Sequence, residues 1–376
     1  MLFVFRVIIA VITLFANTAI YASTPQYAII VDAGSSGSRL HLFQYETTDK
    51  LPIIEDLFSE EVKPGLSSFA NPADAAASLN KLFDDAQVQL NAKHIDPNMV
   101  FIHVLATAGM RLLSADKAND IYQAIRVSLQ AHYTFTIGDI ATVSEKMEGV
   151  YGWLDVNYLA NNFNNDTDTS VGIIDMGGAS TEIAFSTHAD PSNEVVIITI
   201  NGVSYNVFSG NFLGLGQDQA RAAMNTNTQA AACYPVNYAF SVNAIGSFNI
   251  ATCSSLYADI IKQNMAERIL PITNQHFVAY SGTYFDCHFL DADNNPTQKY
   301  IEQRIQTVCT QSWEQLKTNY STTPEKYLAN YCANSVHVTN LLFGTYQLQD
   351  GQLEVKNNIN GKSIDWALGA LLWKLV

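Results

Sequence analysis

Long apolar runs, cysteine and basic charge are all scarce in this chain of 376 residues. Beyond the first two dozen residues no stretch is both long and apolar enough to span a bilayer. Lys and Arg number 20 against 35 Asp and Glu, a formal net charge of −15, and the basic residues form no cluster. That removes the phosphate-neutralising footprint that a nucleic-acid polymer or an anionic membrane would need as partner. A small phosphorylated ligand stays compatible with the acidity if a divalent cation offsets its charge. The cysteines, Cys233, Cys253, Cys287, Cys309 and Cys332, all lie in the second half and match no C-x-x-C spacing, and no His-Glu-x-x-His run occurs. A zinc centre is therefore not expected, and the odd count leaves at least one thiol unpaired. Two common motifs are missing as well. Gly34-Ser-Ser-Gly-Ser38 ends in serine where a G-x-S-x-G nucleophile elbow needs glycine, and Gly361-Lys-Ser363 lacks the earlier glycine of a Walker A loop.

What is present begins with Met1 to Arg6, an apolar stretch Val7 to Phe15, and a small-residue exit at Ala22-Ser23. This pattern predicts a secretory signal peptide over residues 1–22, and no basic stop-transfer flank follows that would make it a membrane anchor. Loss of that segment removes Arg6, its one charged residue, and takes the net charge from −15 to −16. The expected product is a secreted or periplasmic protein without a stable anchor, in a compartment that permits disulfides.

The most informative feature is a pair of matching loops, Asp32-Ala-Gly-Ser-Ser-Gly-Ser38 and Asp175-Met-Gly-Gly-Ala-Ser-Thr181. The first follows the apolar run Tyr27 to Val31 and leads into Arg39 to Tyr45; the second follows Val171 to Ile174 and leads into Glu182 to Phe185. Each reads as strand, tight turn, strand. Glycines in such turns let backbone N–H groups converge on an anion, hydroxyls add donors, and the aspartate faces a cation on the phosphates. A plain β-hairpin explains either loop alone, but turn chemistry does not call for a leading Asp and trailing hydroxyls twice.

Between the loops, strand and helix signals alternate. Asn71-Pro72 followed by Ala75, Leu79, Leu82, Phe83, Ala86 and Leu90 predicts a capped amphipathic helix. Val100 to Leu105 reads as a buried strand that delivers the chain into a Thr107-Ala-Gly turn, a place where α/β proteins put ligand contacts or simply enter a helix. Glu145 to Leu159 predicts a helix, with Glu148 in its first turn, where the helix dipole favours a carboxylate whatever its role. The Asn- and Asp-rich Ala160 to Asp168 reads as a solvated loop.

Taken together these residues resemble the secreted apyrases, the nucleoside triphosphate diphosphohydrolases. Five regions carry the likeness: Asp32 to Arg39, Ala106 to Leu113, Glu148 to Leu159, Ile174 to Ile183, and Asp365-Trp-Ala-Leu-Gly369. Lys63 to Ser67 and Asn211 to Gln219 also look like family sequence. The resemblance implies an α/β, two-lobed actin-like (ribonuclease H-like) ATPase fold, each lobe a mixed sheet flanked by helices, with the active site in the inter-lobe cleft. It implies one lobe from residues 23–146 plus 361–376, with a C-terminal helix around Ser363 to Leu375, and a second from 147–360. The implied activity is removal of terminal phosphates from nucleoside tri- and diphosphates by a monomer. In it Glu148 is the catalytic base and Ser180 helps hold the water. Ser35, Ser36, Gly37, Arg39, Thr107, Ala108, Gly177, Gly178 and Ala179 cradle phosphate, and Asp32 and Asp175 bind Mg²⁺ or Ca²⁺ through its waters.

The likeness further implies nucleobase stacking on Tyr284, Phe285 and Tyr327, the last standing where animal members tend to carry Arg; Tyr284 and Phe285 fit a core equally well. It implies disulfides Cys309–Cys332 and Cys233–Cys253, leaving Cys287 free. Many relatives carry Gln where this chain has Glu182. A second carboxylate beside the water would raise the pKa of Glu148 by like-charge repulsion, or Glu182 merely alternates along a strand. Exopolyphosphatases share the paired loops, but the Glu148-Gly-x-Tyr-Gly-Trp153 and Asp365 to Gly369 segments point away from them. A non-enzymatic actin-like scaffold and a sugar kinase both need a supply of ATP that an exported protein lacks.

Overall fold

Strand β1, Gln26–Ala33, is formed by the apolar run before the first loop; its residues Ala28 to Val31 are buried. The computed structural model describes residues 25–163, 169–188, 194–265, 272 and 275–376. The signal-peptide segment 1–22, and residues 164–168 of the Asn-rich loop, lie outside the described residues.

The first sheet has the order β3-β2-β1-β4-β5, with β2 at Ser38–Glu46, β3 at Ile53–Val62, β4 at Val100–Ala106 and β5 at Thr136–Thr142. β1, β2 and β3 are antiparallel neighbours, while β4 and β5 run parallel to β1. Its helices are α1 (Pro72–Ser78), α2 (Asn80–Ala92), the single turn α3 (Ala108–Arg111) and α4 (Ala115–His132), and α5 (Glu145–Leu159) follows β5 in the chain. The expected helix after Asn71 is thus two helices that break at Leu79. Its cap stands, since the Asn71 side chain accepts from the Ala73 N–H and Pro72 occupies the first position.

The second sheet repeats the plan. β6 (Gly172–Met176), β7 (Ser180–Ser186) and β9 (Val203–Leu213) are antiparallel neighbours, and the Phe277–Ser281 and Leu353–Val355 strands lie parallel to β6 on its other side. Strand β8, Val195–Ile200, adds one edge. Helices α6 (Gln217–Met224), α7 (Ile250–Asn264), α8 (Gly282–Phe289), α9 (Gln298–Cys309), α10 (Trp313–Asn319) and α11 (Glu325–Thr339) follow. The last helix, α12, spans Trp366–Leu375. It starts later than the expected Ser363 because Asp365 is its N-cap, its side chain accepting from the Ala367 N–H.

The core is divided by these layers. One face of the first sheet is covered by α1, α2 and α4, the last through Ala118, Ile121, Ile125 and Leu129 at helical spacing. One face of the second is covered by α7, α9 and α11. Between the sheets lie α5 and α12, which share a single core with inward residues of both, including Ile30, Ile173, Ala184 and Tyr280. That position explains why α5 is buried almost all round and why it carries glycine. A side chain at Gly152 would strike the Tyr280 hydroxyl, and one at Gly369 would strike the Tyr151 carbonyl where α12 crosses α5. Helix α5 is therefore wedged, and its first turn is carried to the rim between the sheets.

Candidate active site

The two Gly/Ser loops occupy equivalent places, each joining the first antiparallel pair of its sheet. They also face each other: a Cβ added to Gly178 would lie 2.8 Å from Ser35 Oγ. Around the first loop the fit is close. Gly65, in the Lys63 to Ser67 segment, lies against the Gly34 and Ser35 carbonyls, and Gly109 of α3 lies against the Ser35 backbone. Thr107 donates its N–H to the Ala33 carbonyl and leads, with Ala108, into α3 beside that loop. The second loop is braced by the start of α6, since Gln217 and Asp218 donate backbone N–H groups to the Gly177 and Gly178 carbonyls, both at 2.9 Å. Ser35 is half-buried and Ser36 exposed, while Gly177 and Gly178 are partly accessible above buried Ala179. The structure thus brings Ser35, Ser36, Gly37, Thr107, Ala108, Gly177, Gly178 and Ala179 to one place.

Asp32 and Asp175 lie at the ends of β1 and β6, below these loops. Burial raises the pKa of Asp32 well above the usual carboxylate range, and Asp365, Glu148 and Asp175 raise it further against the pull of Arg39. Burial likewise pushes Asp175 up to about 7, helped by Glu148 and Asp365 and opposed by a hydrogen bond from Ser281. Asp32 Oδ1 is buried and has no hydrogen-bond partner among the described residues. Crowded carboxylates with an orphaned buried oxygen are the environment a divalent cation relieves, so the residues fit such an ion. Among the described residues, no three Asp, Glu, His or Cys side chains converge on one metal position. Asp32 and Asp175 could hold a cation only with waters or ligand oxygens completing its shell.

Glu148 sits in the first turn of α5 and is 7% exposed. Its Oε2 accepts from Arg111 Nη2 at 2.5 Å and from Asn211 Nδ2 at 3.1 Å. Burial raises its pKa, and the Arg111 guanidinium opposes that rise. Asn211 Nδ2 also donates to Glu182 Oε1 at 2.6 Å, the same oxygen that accepts from Ser180 Oγ at 2.5 Å. Glu182 is 1% exposed; burial, then Glu148 and Asp175, raise its pKa well above the ordinary range. Arg111, Glu148, Asn211, Glu182 and Ser180 therefore form one continuous chain of polar contacts.

Arg39 is directed differently. Its Nη1 donates to Asp365 Oδ2 at 2.9 Å, and Glu61 lies 3.7 Å from Nη2. His41 stands between Asp56, at 2.7 Å, and Asp365, at 3.2 Å. Burial alone would lower its pKa, but these two carboxylates push it up to about 10. Asp365 is held well below its ordinary range by His41 and Arg39 despite its own burial. The Asp365 N–H donates to Asp155 Oδ2 of α5 at 2.9 Å, so one residue ties β2, α5 and α12 together.

Of the aromatic candidates, Tyr284 and Phe285 open α8 with their rings 5.5 Å apart, Tyr284 stacked on His288 and Phe285 51% exposed. Tyr327 lies on α11, with Lys326 Nζ 4.6 Å over its ring; Lys326 and Lys63 lower its pKa. Cys233 is bonded to Cys253 and Cys309 to Cys332, and Cys287 is free and buried. The sequence reading assigned no role to Asn211, Arg111, Asp155 or His41. Arg111 follows the Thr107-Ala-Gly turn, and Asp155 and Asn211 lie in segments that resemble the family, so position was the available signal. Two cavities, of about 420 and 240 Å³, flank Asn340 near α7, away from the two Gly/Ser loops.

The GDA1/CD39 (nucleoside phosphatase) family model matches residues 19–375. Among curated proteins, "Probable apyrase 3" of Arabidopsis thaliana is 27% identical over 408 residues, covering 93% of this chain and 83% of that protein. Among solved structures, a nucleoside triphosphate hydrolase from Neospora caninum superposes with a TM-score of 0.67 at 13% identity, covering 94% of this chain and 92% of the other. A Ppx/GppA family member from Aquifex aeolicus gives 0.55 at 12% identity, over 94% and 98%. At these identities the structural likeness speaks to fold, and it is the two-lobed actin-like one.

Proposed function

Because this chain belongs to the GDA1/CD39 nucleoside phosphatase family and is a nucleoside phosphate hydrolase, we propose that it is an exported apyrase that takes nucleoside tri- and diphosphates to the monophosphate. The observation that carries the reading is the meeting of two anion-accepting loops above a buried glutamate with one carboxylate oxygen to spare. Both hydrogen bonds to Glu148 end on Oε2, so Oε1 is the oxygen available to a water. The loops, with Ser35, Ser36, Thr107, Gly178 and Ala179, hold the phosphate chain through backbone N–H and hydroxyl donors. Water attacks the terminal phosphorus, its proton passes to Glu148 Oε1, and the bond to the bridging oxygen breaks, releasing orthophosphate and the shortened nucleotide. Ser180 donates its own proton to Glu182 and so offers lone pairs to the second water proton. A divalent cation between Asp32 and Asp175 would neutralise phosphate charge and favour that attack.

Residues 23–146 with 361–376 would form one lobe and 147–360 the other. Helices α5 and α12, packed on each other between the sheets, would be where the lobes join. The apolar N-terminal segment and the paired cysteines support export, and a monomer is the expected state. Tyr284, Phe285 and Tyr327 remain the proposed base-stacking set. The test is a chromatographic time course of ATP, ADP and AMP with purified protein, with Mg²⁺ or excess chelator. Metal-dependent passage from ATP through ADP to AMP is expected. Nucleotides left intact with metal present would end the apyrase reading.

A further inference from the structure

Strand β9 lies beside β7 with Asn211 directly opposite Glu182. Asn211 is 8% exposed, and an amide in that setting needs partners for both its protons and its oxygen. Here the amide nitrogen serves two carboxylates, Glu182 Oε1 at 2.6 Å and Glu148 Oε2 at 3.1 Å, while Oδ1 lies 3.4 Å from Arg111 Nη1. No other side chain type of this size does this. Aspartate would add a third carboxyl group, and leucine would leave two buried carboxyl groups without their common donor.

Arg111 reaches Glu148 from α3, at the end of strand β4 of the first sheet, and Asn211 reaches it from β9 of the second. The base is thus gripped on one oxygen by one donor from each side of the cleft. We infer that Asn211 is a positioning residue for Glu148: anchored on Glu182, it completes with Arg111 a two-sided clamp on Oε2 that leaves Oε1 as the oxygen facing the water. The inference rests on Glu148 acting as base. It also gives Glu182 work that does not depend on reaching the substrate, since its Oε1 fixes the Asn211 amide and accepts a hydrogen bond from the Ser180 hydroxyl.

Glutamate at 148 without the clamp keeps its carboxyl group but not its aim. Replacing Asn211 should therefore lower kcat and leave KM nearly unchanged. Asn211→Leu, which keeps the shape and removes the donors, is expected to lower kcat about 10- to 100-fold, the worth of one hydrogen bond to a charged group, with KM within about threefold. The decisive comparison places the same change in a Glu148→Gln background. A residue that acts through Glu148 has nothing left to position there, so the second loss should vanish, whereas a general packing defect would add to the first. Equal losses in both backgrounds, or a change confined to KM, would overturn the clamp. If Asn211→Leu does not fold, as judged by its melting transition, the smaller, uncharged Asn211→Ala is read by the same criteria. Full activity of Glu148→Gln alone would remove the base assignment and the clamp with it. An impaired Glu148→Gln beside a normal Asn211→Leu would remove only the clamp.

Discussion

Across the sheet from the aspartate that opens the first loop stands Arg39; across from its counterpart in the second loop stands Glu182. The two hairpins share strand order, direction and register, and both bring a Gly/Ser turn to the same cleft. They differ in charge at one equivalent position. In the first, Arg39 and His41 lock onto Asp365, and the hairpin is tied to α12 and, through the Asp365 N–H, to α5. In the second, Glu182 adds a buried carboxylate that recruits Ser180 and Asn211 and reaches Glu148. One copy of the motif is braced by cations from behind. The other crowds carboxyl groups at the cleft, and burial raises their pKa values. On the proposed reading, the first hairpin holds the substrate and the second hosts the chemistry, and a duplicated frame lets one position be spent differently in each copy.

That division can be broken at several points. The largest effect is expected for Glu148→Gln, which should keep nucleotide binding by calorimetry but lower turnover by about 10²- to 10⁴-fold, the usual share of a general base. Weakened binding with normal turnover would move Glu148 to the holding side. Next, Asp365→Asn would leave Arg39 and buried His41 without their shared anion, and should cost about 3 to 5 kcal/mol in urea unfolding. A loss under about 1 kcal/mol would mean that the brace is ornamental, since that is the range of exposed pairs. Arg39→Ala, at a partly exposed pair, should raise KM by about tenfold, or roughly 1.4 kcal/mol, with kcat nearly constant in steady-state assays. A fall in kcat instead would bring the first hairpin into the chemistry.

The smallest effect is a slope. His41 has a folded pKa of about 10 against an ordinary 6.5, so between those values the folded protein holds a proton that the unfolded chain has released. Its stabilisation is complete below about 6.5 and is lost as pH rises towards 10, by up to about 1.4 kcal/mol per pH unit. Unfolding free energies of wild type and His41→Gln across that interval should differ in slope by this amount and sign. Parallel curves would show that His41 is not charged in the fold.

Much of the frame was legible because its signals are short-range. A leading Asp and Gly/Ser turn between apolar runs predicted both hairpins, Asn71-Pro72 predicted a cap, and Glu145 to Leu159 matched α5 to the residue. Where the reading slipped, local rules met a competing partner. The helix after Asn71 breaks at Leu79 although its apolar stripe continues, and α12 begins only after Asp365 has turned its side chain to cap it.

The site was legible in its loops and illegible in its contacts. Arg39 meets Asp365 across 326 positions, Arg111 meets Asn211 across 100, and no periodicity connects them. Asn211 stood out only as the first residue of a family-like segment until β9 was set beside β7. By itself the sequence determined the two loops, their carboxylates, the strands and helices that lead into and between them, and an acidity that calls for a cation beside any phosphate, because turn chemistry and burial patterns are local properties. Only the tertiary structure decided which oxygen of Glu148 is gripped, that Arg39 faces Asp365, and that Asn211 joins two glutamates, because those outcomes depend on how α5 and α12 are wedged between the sheets.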